Sequence, residues 1–295
     1  MRKGSLAITL ILIGLLLGAV LLEVLVASYV IGGENPLRFL GAGSVVVVRL
    51  EGEIIAPTPL TRTLDRYSQI GNVKAVVLRI DSPGGGVAAS QEIYAKLRQL
   101  REDGIYVVAS LGSVAASGGY YVACAADSIV ADPGTLTGSI GALVGVMNVE
   151  ELLAKLGVQV DVIASAKYKA MGSPFKELSP DERKLFEDVL VDIHNQFVDA
   201  VAEGRRLPRE SVEAIADGRV FTGRQALQLG LVDSLGGLDL AVSLAGDKAG
   251  LGPEPKVIFD RSNEIQRGFL GRAAAAFADE LYRVAGRAEG LFLLR

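Results

Sequence analysis

The chain has 295 residues, half of them hydrophobic and 22% charged, with a formal charge of −4. Such a composition can bury enough apolar surface to offset chain ordering, which excludes disorder, and 35 glycines without a Gly-x-y period exclude collagen. The acidic balance offers no basic stripe for nucleic acid; a single cysteine, Cys124, and a single histidine, His194, leave neither a disulfide framework nor a Cys- or His-based metal cluster, so no metal or cofactor is expected.

In chain order, residues 6–22 are apolar except for Thr9. As a helix this run spans about 26 Å, close to the ~30 Å of a bilayer core. Arg2 and Lys3 precede it and place the N-terminus in the cytoplasm by the positive-inside rule, with the rest of the chain across the cell membrane. Residues 1–31 therefore read as a transmembrane anchor. A cleaved signal peptide ending near Val26-Ala27-Ser28 is the alternative, against which the length of the apolar run argues. Residues 32–43 carry Gly, Pro and Asn and read as a linker. From there to residue 260, strands and helices alternate. Strands are expected at 44–50, 73–80, 105–109 and 158–164, and helices at 59–70, 88–101 and 115–126. A further helix starts at Ser179-Pro180-Asp181-Glu182, where Ser179 caps and Glu182 closes a capping box, and it runs to about 203. This alternation predicts an α/β fold built from βαβ units on a mostly parallel sheet. Residues 261–295, rich in Ala, Arg and Leu, form a tail, either a docking helix or a frayed end.

Two turns carry candidate chemistry. Asp81-Ser82-Pro83-Gly84-Gly85-Gly86 lies between a strand and a helix. Its N–H groups could cradle a phosphate or form an oxyanion hole, or the turn could simply be tight. A phosphate cradle fits poorly, because neither Gly-x-Gly-x-x-Gly nor Gly-Lys-Ser/Thr occurs here. In Ala115-Ala116-Ser117-Gly118-Gly119, small residues around Ser117 suit a nucleophile elbow, although Ala115 breaks the Gly-x-Ser-x-Gly pattern, with Gly118 supplying an adjacent N–H. The competing reading is a glycine-tolerant helix start that Ser117 caps. A serine nucleophile needs a base. His194 lies in a strongly helical stretch. Lys167 and Lys169 lie in a loop with few acidic neighbours in sequence, where an amine could stay neutral. A histidine on such a helix is more often a surface or structural residue, and spacing alone does not reject two solvated loop lysines.

Five segments in order carry a resemblance: Asp81 to Gly86, Ala115 to Tyr121, Thr137-Gly138-Ser139-Ile140-Gly141, Lys167-Tyr168-Lys169, and Gly218-Arg219-Val220-Phe221-Thr222-Gly223. Together they resemble bacterial signal peptide peptidase A, a family of membrane-anchored Ser/Lys serine proteases with the Clp/crotonase fold. The likeness covers roughly residues 45–250 with one copy of the motif set. It implies a Clp/crotonase-like βαβ spiral over 44–260. It also implies Ser117 as nucleophile, Lys169 rather than Lys167 as general base, and Ser139 as the residue that orients the lysine. Gly84, Gly85 and Gly118 match the oxyanion-hole region. Implied too is a ring-shaped homo-oligomer in which the lysine reaches a neighbour's serine, acting on apolar peptides such as signal-peptide remnants at the extracytoplasmic membrane face. A protease of stomatin-like partners would share this dyad. A crotonase-type acyl-CoA enzyme would share the fold and the glycine turn, but would need neither Ser117 nor Lys169. A non-enzymatic scaffold would need none of these residues.

Overall fold

Four successive valines lie near the start of β1 (Ser44–Glu51), and β-branched side chains suit a strand covered on both faces. Val45, Val46, Val47 and Val48 are each no more than 1% exposed. Parallel to β1 runs β2 (Val73–Ser82), with Val45 opposite Ala75 and Glu51 opposite Asp81. β3 (Tyr106–Ala116) lies parallel on the far side of β2. β4 (Ser128–Ala131) and β5 (Leu136–Gly138) both pair parallel with β3, one along its first half and the other along its end. β6 (Val220–Thr222) runs antiparallel to β5, β7 (Ser234–Leu235) parallel to β4, and β8 (Lys256–Phe259) neighbours β1. The result is a mixed α/β fold whose main sheet path is β6-β5-β3-β2-β1-β8.

The computed structural model describes residues 43–260, of which Gly43–Ile258 form one compact unit. The expected membrane anchor and the tail at 261–295 lie outside the described residues, as does the expected linker apart from Gly43. Among the described residues no helix is long and apolar enough to cross a membrane.

Parallel strands require crossovers, and helices supply them. α1 (Thr58–Ser68) joins β1 to β2, and α2 (Val87–Glu102) joins β2 to β3. α2 buries Ile93, Leu97 and Leu100, a spacing that lines one helix face. α3 (Gly118–Ala123) follows β3, and α4 (Glu150–Lys155) stands in a long excursion after β5. Then come α5 (Pro180–Arg205), α6 (Arg209–Glu213), α7 (Gly223–Gln228) and α8 (Leu238–Lys248). Ala241 and Ala245 of α8 pack against Val45, Val47, Ala75, Val77 and Val108, closing one face of the sheet with small residues that let the helix approach.

α5 starts as the sequence predicts. The Ser179 hydroxyl accepts the Glu182 N–H while the Glu182 carboxylate accepts the Ser179 N–H at 3.0 Å. Lys176 Nζ lies 2.5 Å from Glu182, and with the Ser179 N–H it holds this carboxyl down at about 2.

Two expected elements differ. The helix expected at 115–126 is shorter, because the strand before it is longer: Val114, Ala115 and Ala116 find partners in Leu136, Thr137 and Gly138 of β5, so β3 continues to Ala116. No strand forms at 158–164. The valines alternate there, yet no neighbouring strand is present among the described residues to complete a ladder, and none of residues 141–180 is buried.

Candidate active site

The C-terminal ends of parallel strands are where α/β sheets present reactive groups, and three strand ends meet here. β2 and β3 run in register until Ile80 faces Leu111; the next pairing is Ser82 with Ala115, so β3 carries two extra residues. This bulge is pinned from both sides. Val114 N–H donates to Asp81 Oδ1 at 3.1 Å, and Thr135 Oγ1 donates to the Gly112 carbonyl at 2.8 Å. Thr137 Oγ1, fully buried, donates to the Ala115 carbonyl at 2.7 Å. Beyond the bulge β3 leaves β2 for β5 and stops at Ala116.

Ser117 is the next residue. Its φ of 51° and ψ of −124° lie in a region that L-residues avoid. Such strain costs about 1–3 kcal/mol and persists only where the surroundings impose it. The surroundings here are the hydrogen bond from Ser117 N–H to the Gly138 carbonyl at 2.8 Å and the start of α3, where Tyr121 N–H donates to the Ser117 carbonyl at 2.9 Å. The side chain makes no capping hydrogen bond to α3, so the helix-cap reading of Ser117 does not describe it. Ser139 also has a positive φ, 52°. It follows Gly138 at the end of β5, and its N–H donates to the Arg219 carbonyl at 2.9 Å. The strands therefore bring Ser117 and Ser139 to the same edge.

The glycine turn closes against the serine turn. Ile54 N–H donates to the Gly84 carbonyl and Gly86 N–H to the Ile54 carbonyl, both at 2.8 Å. Gly84 N–H donates to Ser82 Oγ at 3.1 Å, so it is engaged within the turn. Gly85 N–H and Gly118 N–H have no hydrogen-bond acceptor among the described residues. The approach is close. A methyl group on Gly84 would lie 2.7 Å from the Gly118 nitrogen and 2.8 Å from Ser117 Cβ, and one on Gly118 would lie 3.3 Å from the Gly85 nitrogen. Two free N–H groups beside a strained serine form the arrangement that stabilises an oxyanion. The cleft opening there is lined by Ser117, Gly85 and Gly118 together with Val87, Tyr121, Ile193 and Phe197.

The candidate bases fall elsewhere. His194 is on α5 and does not line the cleft, although its neighbour Ile193 does. Lys167 is not the unpaired loop lysine that its sequence neighbours suggest: Asp181, from the start of α5, lies 2.9 Å from its Nζ, and the Tyr168 ring centroid lies 4.8 Å away. Tyr168 and Asp181 hold this ammonium charged above the usual lysine range. Lys169 is exposed, and its side chain makes no hydrogen bond or ion pair with any described residue, Ser117 and Ser139 included. Within one chain the structure thus assembles the serines and the glycines but does not join Lys169 to them. Among the described residues no cluster of three or more His, Cys, Asp or Glu is arranged to hold a metal.

Residues 99–252, just over half of the chain, match the family model for peptidase family S49. The chain belongs to this family. Among proteins similar to this chain, a Synechocystis sp. protein to which a protease function is ascribed is 51% identical over 180 residues, 61% of this chain. A chloroplastic serine protease of Arabidopsis thaliana, SPPA, is 36% identical over 77% of this chain, and Protease 4 of Salmonella typhi is 44% identical over 61% of it. The matched stretches occupy 65%, 34% and 29% of these relatives, so the chain spans less than two thirds of each.

Sequence reasoning passed over several contributors. Asp81 opens the Asp81–Gly86 motif, yet its carboxylate accepts the Val114 N–H, 33 residues away, and no local signal announces that. The cleft residues Ile193 and Phe197 had a signal, since their i, i+4 spacing marks one face of α5.

Proposed function

We propose that this chain is a membrane-anchored serine endopeptidase of the Clp/crotonase type that uses a Ser117/Lys169 dyad. The observation that carries the reading is the strained Ser117 set beside two uncommitted N–H groups, those of Gly85 and Gly118. Ser117 Oγ attacks the peptide carbonyl carbon while its proton passes to the neutral Lys169 amine. The carbonyl oxygen becomes an oxyanion held by Gly85 and Gly118 N–H, a kind of contact whose removal costs about 10²–10³ in kcat. The intermediate collapses as the C–N bond breaks and the Lys169 ammonium returns the proton to the leaving amine. Water then hydrolyses the acyl-serine by the same route. Ser139 orients the lysine without adding charge.

Lys169 is preferred over Lys167 because an ammonium held by Asp181 cannot accept a proton. An amine accepts one only when neutral, and removal from water favours that form. A neighbouring copy supplies this removal. Residues 141–180 expose Leu143, Met147 and Ile163, the last at 96%, and the first half of α5 exposes Leu185, Val189 and Val191. We read these exposed apolar side chains as an interface with a neighbouring copy. The active form is a ring of copies in which Lys169 reaches the Ser117 of the next. Residues 6–22 hold the ring at the membrane with its catalytic body outside the cytoplasm, and its substrates are apolar peptides, signal-peptide remnants among them. The decisive experiment is labelling of the full chain with a fluorophosphonate. Ser117 becomes modified in the parent and neither Ser117→Ala nor Lys169→Ala reacts; a parent chain that labels at another residue, or not at all, removes the proposal.

A further inference from the structure

Away from the cleft at Ser117, a hollow lies where α2 and α5 end and the chain passes from α3 to β4. Four arginines line it: Arg98 and Arg101 from α2, Arg205 at the end of α5, and Arg206, which caps α5. Three carboxylates share it, those of Asp127, Glu203 and Asp233. The chain as a whole is acidic, so a local excess of cations calls for a cause. Helix C-termini supply part of it, because their partial negative charge favours cations. Arg101 and Arg205 answer to that cause. Arg101 donates from Nε to Asp127 Oδ1 at 2.7 Å and from Nη1 to the Ala125 carbonyl at 3.0 Å. Arg205 donates to both oxygens of Asp233, at 3.0 and 2.6 Å, and from Nε to the Gly230 carbonyl at 3.1 Å. The two aspartates are spent as well, since Asp127 Oδ2 accepts the Val107 N–H at 2.9 Å and Asp233 Oδ2 the Ile129 N–H at 2.7 Å.

Arg206 is not explained in this way. It is exposed, and its side chain makes no hydrogen bond or ion pair with any described residue. Its φ of 53° and ψ of 39° are left-handed, at a position where helices commonly end on glycine and sometimes on asparagine. Among the described residues three other than glycine have a positive φ: Ser117, Ser139 and Arg206. Such angles gather at functional sites. Two of the three belong to the candidate active site, and the third puts a guanidinium into this hollow. Arg98 adds to it. Its bonds to Tyr94 Oη, at 3.3 Å, and to Glu203 Oε1 both leave from Nη1, so Nε and Nη2 have no acceptor among the described residues, and neither does Arg101 Nη2. Against all these N–H groups, Glu203 Oε2 is the one carboxylate oxygen of the hollow with no partner among the described residues.

We propose that this hollow is a binding site for a phosphate group, held by Arg98, Arg101 and Arg206. Guanidinium forks pair with phosphate through parallel, charge-assisted hydrogen bonds. Free N–H groups from three arginines suit a tetrahedral group with oxygens on several sides better than the two oxygens of a planar carboxylate. Free phosphate compounds and lipid headgroups both carry this group, and the test separates them. The proposal does not rest on Ser117 being the nucleophile.

The full chain in a phosphate-free detergent is titrated by calorimetry, at an ionic strength fixed with chloride, with inorganic phosphate and separately with dioctanoyl phosphatidic acid; dioctanoylglycerol is the phosphate-free control. The parent should bind inorganic phosphate. Binding of the phosphatidic acid alone would support the site and assign it to a headgroup. Arg206→Gly and Arg98→Gln should each weaken binding by about tenfold or more. Arg224→Gln, which removes an exposed arginine outside the hollow, should leave it unchanged. Arg206→Gly also separates binding from folding: glycine suits the left-handed angle, so this variant should melt no lower than the parent without ligand while losing affinity. A parent that binds neither phosphate probe, or binds the phosphatidic acid no better than dioctanoylglycerol and inorganic phosphate not at all, overturns the proposal. So does an Arg206→Gly chain that binds as tightly as the parent, or an equal loss in Arg224→Gln.

Discussion

Replacing Gly84 by alanine tests whether the close approach of the two turns is what makes the site. Gly84 has a φ of 106°, which an alanine adopts only at a cost of about 1–3 kcal/mol. The new methyl would lie 2.7 Å from the Gly118 nitrogen, 2.8 Å from Ser117 Cβ and 3.0 Å from the Ala116 carbonyl oxygen, all inside the 3.4 Å at which ordinary contact begins. Two of those atoms are backbone and the third is Cβ of Ser117, the proposed nucleophile, so relief requires the glycine turn and the serine turn to move apart. Displacing one oxyanion donor costs about 10²–10³ in kcat. Gly84→Ala should therefore lose about that factor in peptide turnover, while its melting temperature falls by only roughly 2–12 °C. Gly86→Ala is the matched control. Its φ is −58°, and a methyl there meets nothing closer than the Ile54 carbonyl oxygen at 3.4 Å. Turnover of both variants is followed with a fluorogenic peptide alongside thermal melts. A Gly84→Ala chain as active as Gly86→Ala would refute the idea that this contact positions Gly118 and Ser117.

Three more outcomes follow from the same geometry. Lys169→Arg should abolish turnover, because a guanidinium stays protonated, whereas Lys167→Arg should keep most of it, because arginine can still pair with Asp181; rate measurements that reverse this order would transfer the base role to Lys167. Co-assembled Ser117→Ala and Lys169→Ala chains should recover activity that neither has alone, and mixtures as inactive as their parents would show the dyad to be confined to one copy. Glu182 titrates at about 2 in the fold, against an ordinary 4.5. A depressed carboxyl stabilises the fold fully above its unfolded value and loses that contribution as pH falls through the folded one. Glu182→Gln should thus melt below the parent at pH 7, with the gap closing between pH 4.5 and 2; a constant gap across that range would contradict the assigned ion pair.

How far the sequence can be read depends on the range of the interaction involved. The capping box at Ser179 and Glu182 is local, and the residues alone identify it. The valine runs of β1 and β2 announce buried parallel strands, since burial on both faces needs no partner-specific information. The boundary at Ala116 is different. Ala115 and Ala116 have high helix propensity, and pairing with Thr137 and Gly138 of β5, together with Ser82 of β2 opposite Ala115, draws them into β3. Residues 158–164 fail in the opposite sense: the alternation of Val158, Val160 and Val162 is a real strand pattern, but a strand exists only when something pairs with it. The ion pair between Lys167 and Asp181 spans 14 residues and inverts the local impression of a lysine without acidic company.

Ser117, Ser139 and the glycine turn sit at strand ends, held by a hydrogen bond that Thr137 donates and by others that the Asp81 carboxylate and the Gly138 and Arg219 carbonyls accept. The position of each is over-determined within one chain, which is why Ser117 and Ser139 can carry strained backbone angles. Lys169 has no such frame. It lies in a stretch of 40 residues, 141–180, without a single buried side chain, and it adjoins the unpaired valine pattern. In the proposed ring, the face that lacks a pairing partner and the catalytic group that lacks a substrate are completed by the same neighbour. In that ring peptide hydrolysis would depend on assembly, because an isolated copy keeps the proposed nucleophile and oxyanion donors but presents Lys169 to water.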